Sequence, residues 1–299
     1  MWVNEYLSYS EKFSIKTYKE KKSIMGRFCQ MVNIDDPATI ITPDIALNYL
    51  KKQFKERGGN AANKDRKNLV AGWQWGRTFK KFGVNPFQIV PKFPEKRQSR
   101  YVPPEKDFWK AYEAEEGQDR VLLLAYLHTA ARRTELFQLR WEDVDFGDSR
   151  IRLWTRKRED GSQEYDWLPM TNELYNSLLT HKQTAQNEWV FPNSQTGKPY
   201  FDRIKWMRGL CNKAGVKYFG VHAIRHLTAS ILAKEGIPLI LIQGILRHKK
   251  LSTTERYVHR LSDLKPALTV LGKRGNIVYV SPNKKSDDFM TTLENNGNA

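Results

Sequence analysis

At 299 residues the chain is long enough for two modest domains with cores of their own, and too long for a single small module. Its 50 Lys and Arg against 33 Asp and Glu leave a formal net charge of +17, which suits a polyanion, nucleic acid ahead of an anionic membrane surface, better than a small neutral substrate. The sequence shows no run of about 18 apolar residues and no basic-then-apolar leader. Cys29 and Cys211 fit neither a CxxC nor a zinc-ribbon spacing. A soluble cytoplasmic, nucleoid-associated protein with two ordinary buried thiols is expected.

From the N-terminus, apolar residues at three-and-four spacing predict helices over 12–32, 43–57 and 64–82, with Thr42 as N-cap and Pro43 at the first helical position of the second. Residues 1–103 hold 20 basic and 9 acidic side chains, a net +11, so the smaller part of the chain is the more basic. Lys64, Arg66, Lys67, Arg77, Lys80 and Lys81 recur along the third helix together with Trp73 and Trp75. Any one of these cations is as readily a solvated charge as a phosphate contact, but as a set they favour DNA binding. Pro91, Pro94, Pro103 and Pro104 then punctuate a stretch without apolar periodicity. It marks a boundary between a helical domain, 1–91, a linker, 92–104, and a larger domain, 105–265.

Beyond the linker, helices are predicted over 105–114 and 119–139, the latter buried in its first half by VLLLAYLHTAA. The short runs DVDF, RIRLWTR and EYDWLPM, with Gly147 and Asp160-Gly161 as turn signals, predict a small antiparallel sheet. Helical patterns return over 172–182, 202–214, 222–235, 238–246 and 253–261. The larger domain is therefore mainly α with one inserted sheet, an α+β arrangement. Residues 266–299 comprise a strand-prone NIVYVS at 276–281, which could add to a sheet edge of its own or a neighbouring subunit, and a polar tail.

Four separated segments offer related chemistry. TAARRTEL places Arg132 after the buried run with Glu135 three residues on, and an arginine there can fork onto two phosphate oxygens. Lys157 lies in the hairpin LWTRKREDGSQEYDW between Arg156 and Arg158. HAIRH sets His222, Arg225 and His226 at helical positions i, i+3 and i+4. It has alanine where a zinc-binding HEXXH has glutamate, so no metal site is assigned. ILRHKKLSTTERYVH puts His248 nine residues before Tyr257, and Ser252 with Glu255 forms a capping-box pattern that starts a helix just ahead of that tyrosine. Each segment read alone is better explained by packing, a solvated charge or a surface ion pair.

Taken in order, the segments resemble the signature boxes of the tyrosine recombinase, or phage integrase, family. TAARRTEL resembles the family's TGLRxSEL, HAIRHLTAS resembles HxLRHTxAS, and ILRHKKLSTTERYVH resembles LGHxxxxxTxxYxH. Ala130 and Ala131 stand where the pattern has Gly-Leu, Leu227 where it has Thr, and Arg247 where it has Gly. The N-terminal part resembles the family's helical core-binding domain, including the closing Asn85-Pro86. The resemblance implies a catalytic set of Arg132, Lys157, His222, Arg225, His248 and Tyr257, with no cofactor. It also implies two domains closing as a C-shaped clamp on double-stranded DNA and a homotetramer in the synaptic complex. The activity implied is site-specific cutting and rejoining through a 3′-phosphotyrosyl intermediate, serving a phage or other mobile element with accessory DNA-bending or directionality proteins. A type IB topoisomerase-like enzyme, a telomere resolvase and a non-catalytic DNA-binding protein are the alternatives.

Overall fold

The computed structural model describes residues 2–32, 38–96, 101–156, 163–252 and 254. The chain divides into two units, Met1–Ser99 and Arg100–Ala299, each with its own hydrophobic core. In the first, α1 (Trp2–Tyr9), α2 (Ile15–Cys29), α3 (Pro43–Arg57), α4 (Gly59–Lys80) and the single turn α5 (Pro86–Ile89) enclose Met25, Phe28, Tyr49, Leu50, Leu69 and Phe87. Side-chain caps set the helix starts. The Thr42 hydroxyl accepts from Ile45 N at 3.3 Å, Ser14 accepts from Thr17 N at 3.3 Å, and Asn85 accepts from Phe87 N and Gln88 N. The Ser14 cap explains why α2 begins at Ile15 rather than at residue 12. α1 was not expected, because eight residues are too few to show periodicity, although Trp2, Val3 and Tyr6 are buried.

α4 carries a buried carboxylate. Asp65 accepts hydrogen bonds from Arg27 Nη2 at 2.9 Å, Arg57 Nη1 at 3.1 Å and the Tyr49 hydroxyl at 2.9 Å, which supplies the donors that a buried charge requires. Burial, then the Asp65 charge, pushes the Tyr49 phenol well above its ordinary range.

α4 also starts five residues before the expected helix, directly after Gly58, whose φ is 83°. Its first residue, Gly59, lies against residues 93–95. A Cβ there would meet the Pro94 carbonyl oxygen at 1.9 Å. Asn63 holds the same segment, with Nδ2 donating to Phe93 O at 2.9 Å and Oδ1 accepting from Phe93 N at 2.8 Å, while the Phe54 and Phe93 rings stack 5.1 Å apart. The front of the stretch read as linker is therefore docked on the first unit. Tyr101 and Val102, at its far end, pack on the second core, and 97–100 lie outside the described residues. Gly59→Ala is expected to cost about 1–3 kcal/mol by forcing this segment away. The check is the urea midpoint of the full chain, and an unchanged midpoint would show that the docking is dispensable.

In the second unit, α6 (Glu105–Glu113), α7 (Gly117–Thr129), α9 (Asn172–Lys182), α10 (Ile204–Lys213), α11 (Val221–Lys234) and α12 (Leu239–Leu246) surround a short helix, α8 (Arg133–Phe137), and one sheet. Leu122 to Leu127 are all buried, so α7 is the central element of this unit. The sheet has the order β1 (Val144–Asp145), β2 (Arg150–Arg156), β3 (Gln163–Pro169), antiparallel throughout, with Ile151 opposite Leu168 and Leu153 opposite Asp166. Ile151 and Leu153 face the core. Their neighbours Arg152 and Trp154 form the other face with Tyr165 and Trp167, as the two-residue repeat of a strand requires. The mainly helical fold with one small antiparallel sheet agrees with the sequence reading.

One element differs in a way that shapes the site. The helix expected over 119–139 breaks at Ala130, which is left-handed at φ 47°, and restarts at Arg133. A left-handed alanine costs about 1–2 kcal/mol. The break is held both from the helix's own last residue and from distant arginines. Thr129 Oγ1 donates back to Ala125 O at 2.5 Å and accepts from Ala131 N at 3.2 Å, while the carbonyls of Thr129 and Ala130 are taken by distant arginines.

Candidate active site

The break at Ala130 turns the chain so that Arg132 becomes the N-cap of α8 in extended conformation. Glu135, three residues on, reaches back to accept from Arg132 N at 2.7 Å through Oε2 and from Arg132 Nη1 at 2.6 Å through Oε1. The Arg132 guanidinium is thus fixed at the helix start with its side chain 26% exposed, a cation held in place yet reachable.

Two further arginines tie this turn to the chain more than 90 residues downstream. Arg225, on α11 and buried, donates through Nη1 to Ala130 O and through Nη2 to Leu246 O. Arg247 follows α12 in left-handed conformation, with φ 51° and ψ 47°. It donates through Nη1 to Thr129 O at 3.2 Å and Ile245 O at 3.0 Å, and through Nη2 to Glu135 Oε2 at 2.7 Å. Its carbonyl accepts from Arg132 Nη2 at 3.3 Å. The segments 129–135 and 245–247, with Arg225 of α11, therefore form one guanidinium-laced cluster.

Burial by itself would raise the Glu135 carboxyl, but Arg247 first and then Arg132 outweigh it and hold the group below its ordinary range. Burial works against the Arg247 charge, and Glu135 offsets only part of that effect. The guanidinium nevertheless keeps its charge, as arginine side chains do in proteins.

Of the six residues assigned by resemblance, Arg132 and Arg225 enter this cluster and His248 directly follows it. His248 is anchored by hydrogen bonds from its N to Gln243 O at 3.2 Å and from Gln243 Nε2 to its O at 2.8 Å. Its Nδ1 is hydrogen-bonded to Oγ1 of the buried Thr254 at 2.9 Å. His222 sits in the first turn of α11, three positions before Arg225, with its ring edge-on to His226 at 4.8 Å. Lys157 and Tyr257 lie outside the described residues, as do the expected turn at Asp160-Gly161 and the strand over 276–281. The reading from sequence passed over Arg247 as a mere departure from the family pattern. The available signal was a bulky side chain where that pattern calls for glycine.

The six cations assigned to DNA along α4 and just beyond it fall into two groups. Lys64 pairs with Glu20 at 2.8 Å and Lys80 pairs with Glu5. Arg66 donates to Val90 O at 2.6 Å and Gln88 O at 3.0 Å, closing α5 onto α4. Lys67, Arg77 and Lys81 are exposed, as Lys64 and Lys80 also are, with Arg77 3.5 Å from Gln74 Oε1 and Lys81 in the left-handed cap of α4. Trp73 is buried against Trp2, Phe82 and Phe87, while Trp75, two positions on and so on another side of the helix, is half-buried against Tyr6, Tyr9 and Phe79.

The model of the phage integrase family matches residues 106–263, more than half of the chain. The chain belongs to the phage integrase family. It is 26% identical over 252 residues to prophage integrase IntF of Escherichia coli (strain K12), a match that covers 79% of this chain and 52% of that protein. It is 30% identical over 195 residues to tyrosine recombinase XerC of Staphylococcus carnosus (strain TM300), covering 59% of this chain and 62% of that one. The chain thus spans about half to three-fifths of the length of these relatives. Among solved structures, a lambda integrase tetramer bound to a Holliday junction aligns with a TM-score of 0.69 at 16% identity, covering 86% of this chain and 76% of the other, a likeness of fold.

Proposed function

We propose that this member of the phage integrase family is a site-specific DNA recombinase that cuts and rejoins duplex DNA through a 3′-phosphotyrosyl link on Tyr257. The observation that carries the reading is the guanidinium cluster. Residues of three family-matched boxes, 129–135, 225 and 246–247, are bound to one another across as many as 118 positions of sequence. A phosphodiester repels nucleophiles and gathers charge on its non-bridging oxygens as it is displaced, so fixed cations are the main catalytic requirement.

Arg132 and Arg225 meet those oxygens, with His222 and His248 adding hydrogen bonds, one of the two histidines accepting the tyrosine proton. Lys157 protonates the departing 5′ oxygen. The phosphoryl bond is kept as a tyrosyl ester, which another DNA end attacks in turn, so no cofactor enters the balance. The first unit serves as the core-binding domain, with exposed Lys67, Arg77 and Lys81 contacting phosphates directly. Lys64, Arg66 and Lys80 contribute to the field of the helix that carries them.

The lambda integrase structure, a tetramer on a Holliday junction, supports four subunits of this chain on two duplexes. The prophage integrase relative supports integration or excision of a mobile element; action in the cytoplasm, on the nucleoid and with accessory DNA-bending or directionality proteins belongs to the same proposal. The test uses duplexes that the full chain recovers from a randomised pool, placed on two plasmids and incubated with the protein in EDTA. Exchanged strands are expected. Relaxation of supercoils without exchange would point to topoisomerase-like chemistry, and binding without any strand breakage would leave only a DNA-binding protein.

A further inference from the structure

Arg247 stands where the family pattern has glycine, yet it keeps the left-handed conformation that glycine adopts most easily, at φ 51°. A side chain in that region persists when surrounding contacts over-determine it. The contacts are specific. The Arg247 side chain is 5% exposed, and its Nη atoms hold Thr129 O, Ile245 O and Glu135 Oε2. The Arg132 guanidinium is in turn held at two points, Glu135 Oε1 at 2.6 Å and the Arg247 carbonyl at 3.3 Å. Both points depend on Arg247, one through the carboxylate that it pins and the other through its own backbone.

We propose that Arg247 is a positioning residue, which locks Glu135 and the turn after α12 so that the Arg132 guanidinium is presented to the scissile phosphate in one orientation. No phosphate contact is assigned to Arg247, because it stands where the family pattern has glycine and so no side chain, and its Nη atoms serve Thr129 O, Ile245 O and Glu135 Oε2. The inference rests on the recombinase reading and adds to it a residue outside the matched catalytic set. Glu135 is faced by Arg132 from the start of α8, by Arg247 from beyond α12 and by Tyr126 from α7, while Asp166 of β3 acts on Arg247. Removing Arg247 therefore takes from a buried carboxylate its foremost opposite charge.

The experiment compares the full wild-type chain with Arg247→Gly and Arg247→Lys on a nicked duplex of the sequence that the wild type selects from a random pool. Affinity and the single-turnover rate of covalent adduct formation at saturation are measured separately across pH. Arg247→Gly, which restores the family residue and relieves the left-handed strain, is expected to bind as wild type. Its adduct rate should fall about 100-fold, the scale of a misplaced catalytic group. The acid limb of its rate profile should move to higher pH, because a buried carboxylate with fewer cations protonates more easily. Arg247→Lys is expected to recover part of the rate, since an ammonium can still pair with Glu135 but cannot fork, and it carries the test if the glycine variant fails to fold. Adduct formation by Arg247→Gly at the wild-type rate would overturn the inference alone. So would a loss that is equal at every pH and not recovered by lysine, which is what loosened packing would give. No adduct from the wild-type chain would overturn the recombinase reading and this inference together.

Discussion

Tyr257→Phe is expected to fold and bind DNA as the wild-type chain does and to form no covalent adduct with a nicked duplex. One hydroxyl is lost, and with it the only atom that the proposed reaction joins to phosphorus, so the effect is total rather than graded. Binding is expected to be spared because the phosphate contacts proposed above lie elsewhere, at Lys67, Arg77 and Lys81. The phenol needs help to react. Its ordinary pKa is about 10, so near neutrality it attacks only with a proton acceptor at hand and cations that favour the phenolate. His248, next in sequence to Arg247 of the arginine cluster, is hydrogen-bonded to Thr254, which precedes Tyr257 by three positions of sequence. Adduct formation by Tyr257→Phe, with the link mapped to another tyrosine, would move the nucleophile.

Lys157→Ala is expected to bind DNA normally and to cleave an ordinary phosphodiester about 10²- to 10⁴-fold more slowly, the usual cost of losing a general acid. The reason is the leaving group. A 5′ alkoxide departs poorly unless it is protonated as the bond breaks, whereas a 5′ thiolate is stable without a proton. Replacing the bridging 5′ oxygen by sulfur should therefore restore most of the mutant's rate. Arg132→Ala should gain far less from the same sulfur if, as proposed, its guanidinium acts on the non-bridging oxygens. Single-turnover cleavage of the two substrates by the two variants gives the comparison. Equal rescue of both would remove Lys157 from the role, and rescue of Arg156→Ala or Arg158→Ala instead would place the acid one residue away in the hairpin.

Elements whose causes are local were legible in the sequence. Thr42-Pro43 and the apolar spacing behind it predict α3, and the helix occupies those residues, Pro43–Arg57. α9 over Asn172–Lys182 and the strand pair β2 and β3 were legible for the same reason, a cap or a turn signal beside a clean repeat. The break at Ala130 was not. Alanine is the best helix former, the apolar run continues past it, and what holds the break is Arg225, 95 positions away. The same distance hides the Arg247–Glu135 pair, whose members are 112 positions apart and separately look like a surface cation and a helical i,i+3 partner. The docking of residues 93–95 on Gly59 and Asn63 is likewise tertiary, because a Pro-rich stretch without periodicity reads as linker whether or not something binds it. The cations of α4 show the opposite case. Their recurrence along one helix was plain, but Lys64 and Lys80 answer acids on α2 and α1 that the pattern of α4 alone does not reveal.

The most direct test is to trap the wild-type chain on a nicked duplex of its selected sequence, digest the adduct and locate the nucleotide by mass spectrometry. The expected result is a single modified peptide containing Tyr257, joined through the 3′ phosphate of the cleaved strand and leaving a free 5′ hydroxyl on the other side of the break. A phosphate left on the 5′ end, a link to a serine or histidine, or cleavage with no protein attached would contradict it.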